Sequence, residues 1–571
     1  MHHCKIKYRY FSVLLIFLFL LSCSNGDSPG TEKEKKTVAD PKTIDSRISE
    51  NINSVLEFAS NNNGKIDDSS KIDLLEIVSD FYNKNNYLPV WSKVQKWEPL
   101  ADSLYRFITG AETEGLYPED YHASGLKTII NKLETDSLCR MDADLWVKAD
   151  LLLTDGFMHI IKDLKFGRLR SDSVSLNKDS IPGDKFFIIT LNSLLEKKQF
   201  SELLISLQPK HKGYWELKKA VRQFVDSMNR EEYTFVPFPF VKNNAKDSLQ
   251  FIRLLQKRLS ESGCIDLDEN LPDSARLSKA INKYQLQKGL PADGKYGKIL
   301  IASLNNSDKE KYKRIAVTLD KYKQLPEKMP EKYIWVNLPA YYLYLVEEDT
   351  VVFESKVICG NPETRTPLLN AEISDMIIYP TWTVPTSIIV KQYLPKLKNN
   401  PNYISKIGLK LIDKKGETVD PNTVEWAKYS RGIPYKVMQA SGDDNSLGVI
   451  KFNFSNPYAV YLHDTNQRYL FKKESRAISH GCVRVQEWKK LAFYIANNDS
   501  TLSQKNDSLR YTTDSIRNWI AKKERHRVDV KNQIPLFIRY FSCEGRNGRV
   551  KFYEDVYGED KFLTQKYFAK K

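Results

Sequence analysis

One cysteine in this chain sits where a nucleophile would be expected. Cys482 lies within Ser479-His480-Gly481-Cys482-Val483-Arg484, and Leu462-His463-Asp464-Thr465 lies a short way upstream. A free thiol is only a few per cent thiolate at neutral pH, so a cysteine nucleophile needs a base or a positive neighbour. His463 and His480 are both candidates for the base, and Arg484 is a charge two residues from the sulfur. Asp464 offers a carboxylate or a backbone carbonyl to hold the His463 ring. Gly481 allows close backbone approach, with amides beside Cys482 available to an oxyanion. The chemistry this suggests is acyl transfer on a peptide. A buried structural cysteine beside incidental histidines is the competing reading.

Such a site needs elements to hold it, and the chain is long enough for several. Its 571 residues are 41% hydrophobic and 28% charged, with 31 Tyr, 26 Phe and 9 Trp, which supports three or four cores and excludes a disordered chain. The net charge of +15 is spread along the length without a long basic block or a nucleic-acid motif. It fits an anionic wall better than nucleic acid.

Lys5, Lys7 and Arg9 precede the apolar run Phe11 to Leu21, which closes on Ser22-Cys23. The run is too short for a spanning helix and reads as an export signal. Its ending resembles a lipobox, which makes Cys23 the lipidated first residue after cleavage of 1–22. Of the seven cysteines, Cys139, Cys264, Cys359, Cys482 and Cys543 then remain, an odd number without metal-ligand or disulfide-framework spacing.

Residues 23–46 read as a polar tether and 47–246 as helical. In the latter, Leu151, Leu152, Asp155, Met158, His159, Ile161 and Lys162 predict one long helix with opposed apolar and polar faces. His159 reads as a packed side chain, and His122 and His211 as turn residues without a function. Ile252, Leu255 and Leu259, then Leu277, Ala280, Ile281 and Tyr284-Gln285, then Asp293-Gly294, mark a small helical unit over 247–306. After a linker helix at 307–332 the period switches to that of strands, from Tyr333 onward. The stretch 386–446 interrupts the strands as a partly helical lid.

The two segments quoted first resemble the signature of the L,D-transpeptidase catalytic domain. The resemblance extends through Thr366-Pro367, Tyr379-Pro380-Thr381-Trp382-Thr383-Val384-Pro385-Thr386-Ser387-Ile388, Asn445-Ser446-Leu447-Gly448, Lys451-Phe452, Ile534-Pro535-Leu536-Phe537 and Asp555-Val556-Tyr557-Gly558. The whole resembles the large Gram-negative type. That type implies a multidomain fold: an α-helical scaffold, a three-helix peptidoglycan-binding-like unit, and a mainly-β catalytic domain over 333–500 with its lid. Residues 501–571 are expected to pack on the catalytic domain as an extension.

The resemblance implies that Cys482 attacks a tetrapeptide stem with His463 as its base and Asp464 and Gly481 in support. Arg484, His480 and Ser479 are implied near the substrate. It further implies a thioester resolved by a second stem to give a 3→3 cross-link, no metal or diffusible cofactor, carbapenem sensitivity, and a periplasmic lipoprotein, with the outer membrane favoured. Resolution by water or by a protein lysine, a non-catalytic wall-binding scaffold and a general Cys-His protease are the alternatives.

Overall fold

A computed structural model describes residues 43–171, 174–176, 183–238, 245–267, 272–502 and 511–568. The expected signal, most of the tether and the lipid site Cys23 lie outside them. Among the described residues no helix is long and apolar enough to cross a membrane.

The amino-terminal region is helical, built around Ala143–Lys165, whose first turn is capped by the Asp142 side chain accepting from the Asp144 amide. This helix is buried on every side and does not show the two opposed faces its spacing suggested. The polar residues of the expected outer face act as pins instead. Asp150 accepts from the Trp91 amide at 3.0 Å, Thr154 from the Trp91 indole at 2.8 Å, and Asp155 from His122 at 2.6 Å and the Leu74 amide at 2.9 Å. A buried polar group is tolerated only when so satisfied.

Ala245–Glu261, Ser274–Gln287 and Lys298–Leu304 form the three-helix unit around Phe251, Leu255, Ile281, Tyr284 and Leu304. Gln285 explains the spacing to Asp293-Gly294. Its side-chain amide donates to Asp293 at 2.8 Å, and its oxygen accepts the Gly294 amide at 2.9 Å. Gly294 is left-handed at φ 64°, and a Cβ there would meet Ser278 Oγ at 2.4 Å.

The expected linker helix is no linker. Asp308–Lys323 is buried over most of its length between the scaffold and the carboxy-terminal segment. Tyr312 donates to the carbonyls of Glu112 and Leu116 at 2.9 and 2.6 Å, and Lys323 donates to the Asp163 carbonyl at 2.7 Å. On the other side Lys321 meets Glu559 at 2.9 Å, Asp560 at 3.3 Å and the Tyr540 carbonyl at 2.7 Å. The lysines and aspartates of this helix are buried because their partners are remote in sequence.

The carboxy-terminal half is built on a ten-stranded sheet. Eight of its strands define the frame: β1 Lys332–Asn337, β2 Tyr342–Glu347, β3 Thr350–Gly360, β4 Leu369–Ile378, β5 Ile450–Phe454, β6 Leu462–His463, β7 Val483–Val485 and β8 Pro535–Arg539. Their order is β5-β6-β7-β3-β2-β1-β8-β4, and β4 also pairs with β5, which closes the circuit. Leu343 and Leu345 of β2 point inward while Tyr342 and Tyr344 are half-exposed, the two-residue period of a strand with one buried face. Glu348 and Asp349, both at positive φ, make the two-residue hairpin into β3.

Two strands come from 501–571. β8 lies between β1, parallel to it, and β4, antiparallel to it, and His526–Asp529 pairs with β4. The expected extension is therefore part of the sheet rather than a layer upon it. Its hairpin Cys543–Arg546 with Arg549–Phe552 packs on the scaffold helix Lys212–Ser227. The lid carries its own four-stranded sheet and core, including Ile388, Leu397, Trp426 and Val437. That sheet begins at Trp382–Thr383, ahead of the expected boundary at 386.

Candidate active site

Strand register brings the expected nucleophile and base to one face. Lys451 of β5 pairs with His463 of β6, and His463 pairs with Arg484 of β7. Residues two apart on a strand share a face, so Tyr461 joins His463 and Cys482 joins Arg484. The face thus carries Lys451, Tyr461, His463, Cys482 and Arg484.

Cys482 is half-buried at the end of a tightly braced turn. Ser479 Oγ accepts the Gly481 amide at 3.1 Å and donates to the Cys482 carbonyl at 2.6 Å, while the Ser479 carbonyl accepts the Asn361 amide at 2.9 Å. Gly481 has φ 121°, a conformation that a side chain would strain. Its carbonyl accepts from Thr366 Oγ1 at 2.7 Å, and that oxygen accepts the Gly360 amide at 2.9 Å. Tyr557 then joins both ends of this loop, donating to the Gly360 carbonyl at 2.7 Å and accepting the Thr366 amide at 3.2 Å.

This bracing corrects two expectations. Ser479 is only 2% exposed and its hydroxyl is engaged within the turn, so it shapes the nucleophile loop and does not face substrate. The Gly481 amide is engaged too, so it is not available to an oxyanion, and the amide of Cys482 itself becomes the nearest candidate donor at the attacked carbon.

His463 is 5% exposed, and Nδ1 has no hydrogen-bond partner within the described residues, although the backbone of Asp464 and Leu447 lies beside the ring. Burial, reinforced by the Arg484 and Lys451 charges, pushes its pKa down to about 3. The imidazole is therefore neutral at physiological pH and able to accept a proton. The Asp464 carboxylate faces away from it, accepting the Val449 amide at 2.9 Å and Arg468 at 3.1 and 2.5 Å. Of the two expected ways for Asp464 to hold the ring, the carboxylate is ruled out by these partners.

Burial also raises the Cys482 thiol, against donation from the Tyr461 backbone and hydroxyl and the Lys451 and Arg484 charges. Arg484 donates to Gln467 at 3.3 Å, and burial lowers its pKa. His480 is exposed on the turn and bonded to Gln392 of the lid. Trp382, at the base of the lid, lies beside the Tyr461 hydroxyl. Lid residues therefore reach both the nucleophile turn, at His480, and the strand that carries His463.

Sequence reading gave Lys451 and Tyr461 no role. The alternation in Tyr461-Leu462-His463 carried the signal for Tyr461, but Lys451 becomes a neighbour only through the β5–β6 pairing. Among the described residues no group of three or more His, Cys, Asp or Glu side chains is placed to hold a metal ion.

Residues 331–502 match the family model of the L,D-transpeptidase catalytic domain, and residues 76–221 match that of a scaffold domain. A Haemophilus influenzae protein provisionally named an L,D-transpeptidase is 34% identical over 232 residues, covering 40% of this chain and 45% of its own. The chain thus spans under half the length of that curated relative. An L,D-transpeptidase structure from Mycobacterium smegmatis overlaps 37% of this chain and 58% of its own at 11% identity and a TM-score of 0.18. One from Xylanimonas cellulosilytica overlaps 50% and 92% at 14% identity and a TM-score of 0.14.

Proposed function

Because this chain carries an L,D-transpeptidase catalytic domain behind a scaffold domain, we propose that it forms 3→3 peptidoglycan cross-links through a thioester on Cys482. The observation that carries the reading is the shared strand face of Cys482 and His463 within that matched domain, beneath a lid. Sγ attacks the carbonyl after the third residue of a tetrapeptide stem as its proton passes to His463. The Cys482 amide holds the oxyanion. Collapse expels the terminal D-Ala as an amine, which takes the proton from His463. The side-chain amine of a second stem then attacks the thioester, forming the cross-link and releasing the thiol.

Lid contacts at His480 and Tyr461 support exclusion of water from the thioester. Arg484 is the cation available to a substrate carboxylate on this face. The enzyme acts in the periplasm, tethered by lipid on Cys23, with the outer membrane as the favoured anchor.

Incubation with defined tetrapeptide muropeptides followed by mass analysis tests the reading. Dimers lacking one D-Ala are expected. Tripeptide alone would assign the thioester to water, and no acyl-enzyme at all would leave a wall-binding scaffold.

A further inference from the structure

Lys451 projects an ammonium into the site, and among the described residues no carboxylate lies within ion-pair distance of it. Asp375, the acid whose charge reaches it, is 5% exposed and held by Asn453 at 2.6 Å. Lys451 instead lies 4.0 Å above the Tyr461 ring, on the face that carries Cys482. A partly buried, unpaired ammonium is costly, and burial lowers its pKa. That cost is offset only if a negative charge appears nearby, and the one group on this face that becomes anionic in the reaction is the Cys482 sulfur.

Neither histidine facing the sulfur supplies its counter-charge. His463 is kept neutral by burial and by the two cations beside it. His480 is exposed and turned to Gln392. Arg484 also acts on the sulfur, but its guanidinium is engaged by Gln467, whereas the Lys451 ammonium has no side-chain acceptor among the described residues. Tyr461 lies toward the sulfur with the Lys451 cation over its ring, so it couples the two charges, and burial beside Cys482 holds its hydroxyl protonated.

We propose that Lys451, acting directly and through Tyr461, is the positive charge that stabilises the Cys482 thiolate. The thiol proton passes to His463 as the sulfur attacks and goes from there to the leaving amine, so Lys451 supplies the charge and His463 the proton transfer. The inference rests on Cys482 being the nucleophile of the reaction proposed above, and deepens it by assigning the charge balance. Lys451 is a positioning residue in this scheme: it need not touch substrate.

The test is the pH dependence of Cys482 alkylation by iodoacetamide in the full chain, read on the Cys482 peptide by mass spectrometry. It needs no stem peptide, so it can fail independently of cross-linking. Lys451→Met should move the midpoint of the profile up by about one unit and slow alkylation at neutral pH about tenfold. Lys451→Arg should restore the wild-type midpoint. Tyr461→Phe should shift it part of the way. His463→Ala should leave the midpoint in place while slowing acylation by tetrapeptide by about 10²–10⁴-fold. If Lys451→Met does not fold, Lys451→Gln gives the same reading. An unchanged midpoint in the Lys451 variants, or a rise in His463→Ala equal to that expected for Lys451→Met, would overturn the proposal.

Discussion

Arg468 grips the Asp464 carboxylate at 3.1 and 2.5 Å on the side of the strand away from His463. The acid next to the base therefore ties the loop after β6 to the start of β5, where a Cβ on Gly448 would meet its oxygen at 2.3 Å. Asp464→Asn should lower stability by about 1–3 kcal/mol while leaving kcat within about tenfold of wild type. A carboxylate that held the imidazole would cost about 10⁴ in kcat on such a change. Thermal unfolding and single-turnover acylation, measured together, separate the two roles.

The two histidines should differ sharply. His463→Ala removes a buried group on the face of the nucleophile and should cost about 10²–10⁴ in acylation rate. His480→Ala loses an exposed contact to Gln392 and should retain a substantial fraction. Stopped-flow acylation by a carbapenem reads both, and the reverse ranking would reassign the base.

Acid should destabilise the fold through His463. Its folded pKa of about 3 lies below the unfolded value of about 6.5, so between those values the unfolded chain binds a proton that the native state refuses. Stability on this account is complete above about pH 6.5 and declines as pH falls toward 3. Urea unfolding across that range should show a shallower pH slope for His463→Gln than for wild type.

The Thr366 hydroxyl joins the Gly481 carbonyl and the Gly360 amide inside the sheet. Thr366→Val keeps the shape and strands both groups, for about 1–3 kcal/mol. Hydrogen exchange at 479–483 should accelerate, and acylation should slow without any change in the chemistry of Cys482.

Lys321 provides a test at the domain junction. Lys321→Met leaves Asp560, 1% exposed, with Arg314 as its remaining cation, and should cost about 3–5 kcal/mol. Limited proteolysis should then cut near Glu559–Tyr567 earlier than in wild type.

The candidate site was more legible in the sequence than much of the architecture. Cys482, His463 and Gly481 stood out because their local runs are contiguous and their types are informative, and strand pairing brings the first two to one face. The three helices of the small unit were equally readable, since Leu255, Leu259 and Ile281 follow local periodicity. Lys451 was not, because only strand pairing decides which residues it faces. Helix Asp308–Lys323 read as a linker for the same reason: its charges are buried by Glu559 and Asp560, which no local window contains. Ser479 read as a substrate contact because a serine hydroxyl gives no sign that a turn will use it.

The β8 strand carries no residue of the site, yet it is the last strand along the chain to enter the sheet. Asn337 and Phe541, 204 positions apart, bond side chain to backbone where β8 slots beside β1. Without it β1 and β4 share no neighbour, and the circuit of strands is open. The face of Cys482 and His463 therefore sits in a sheet whose closure is decided well after the cysteine in sequence.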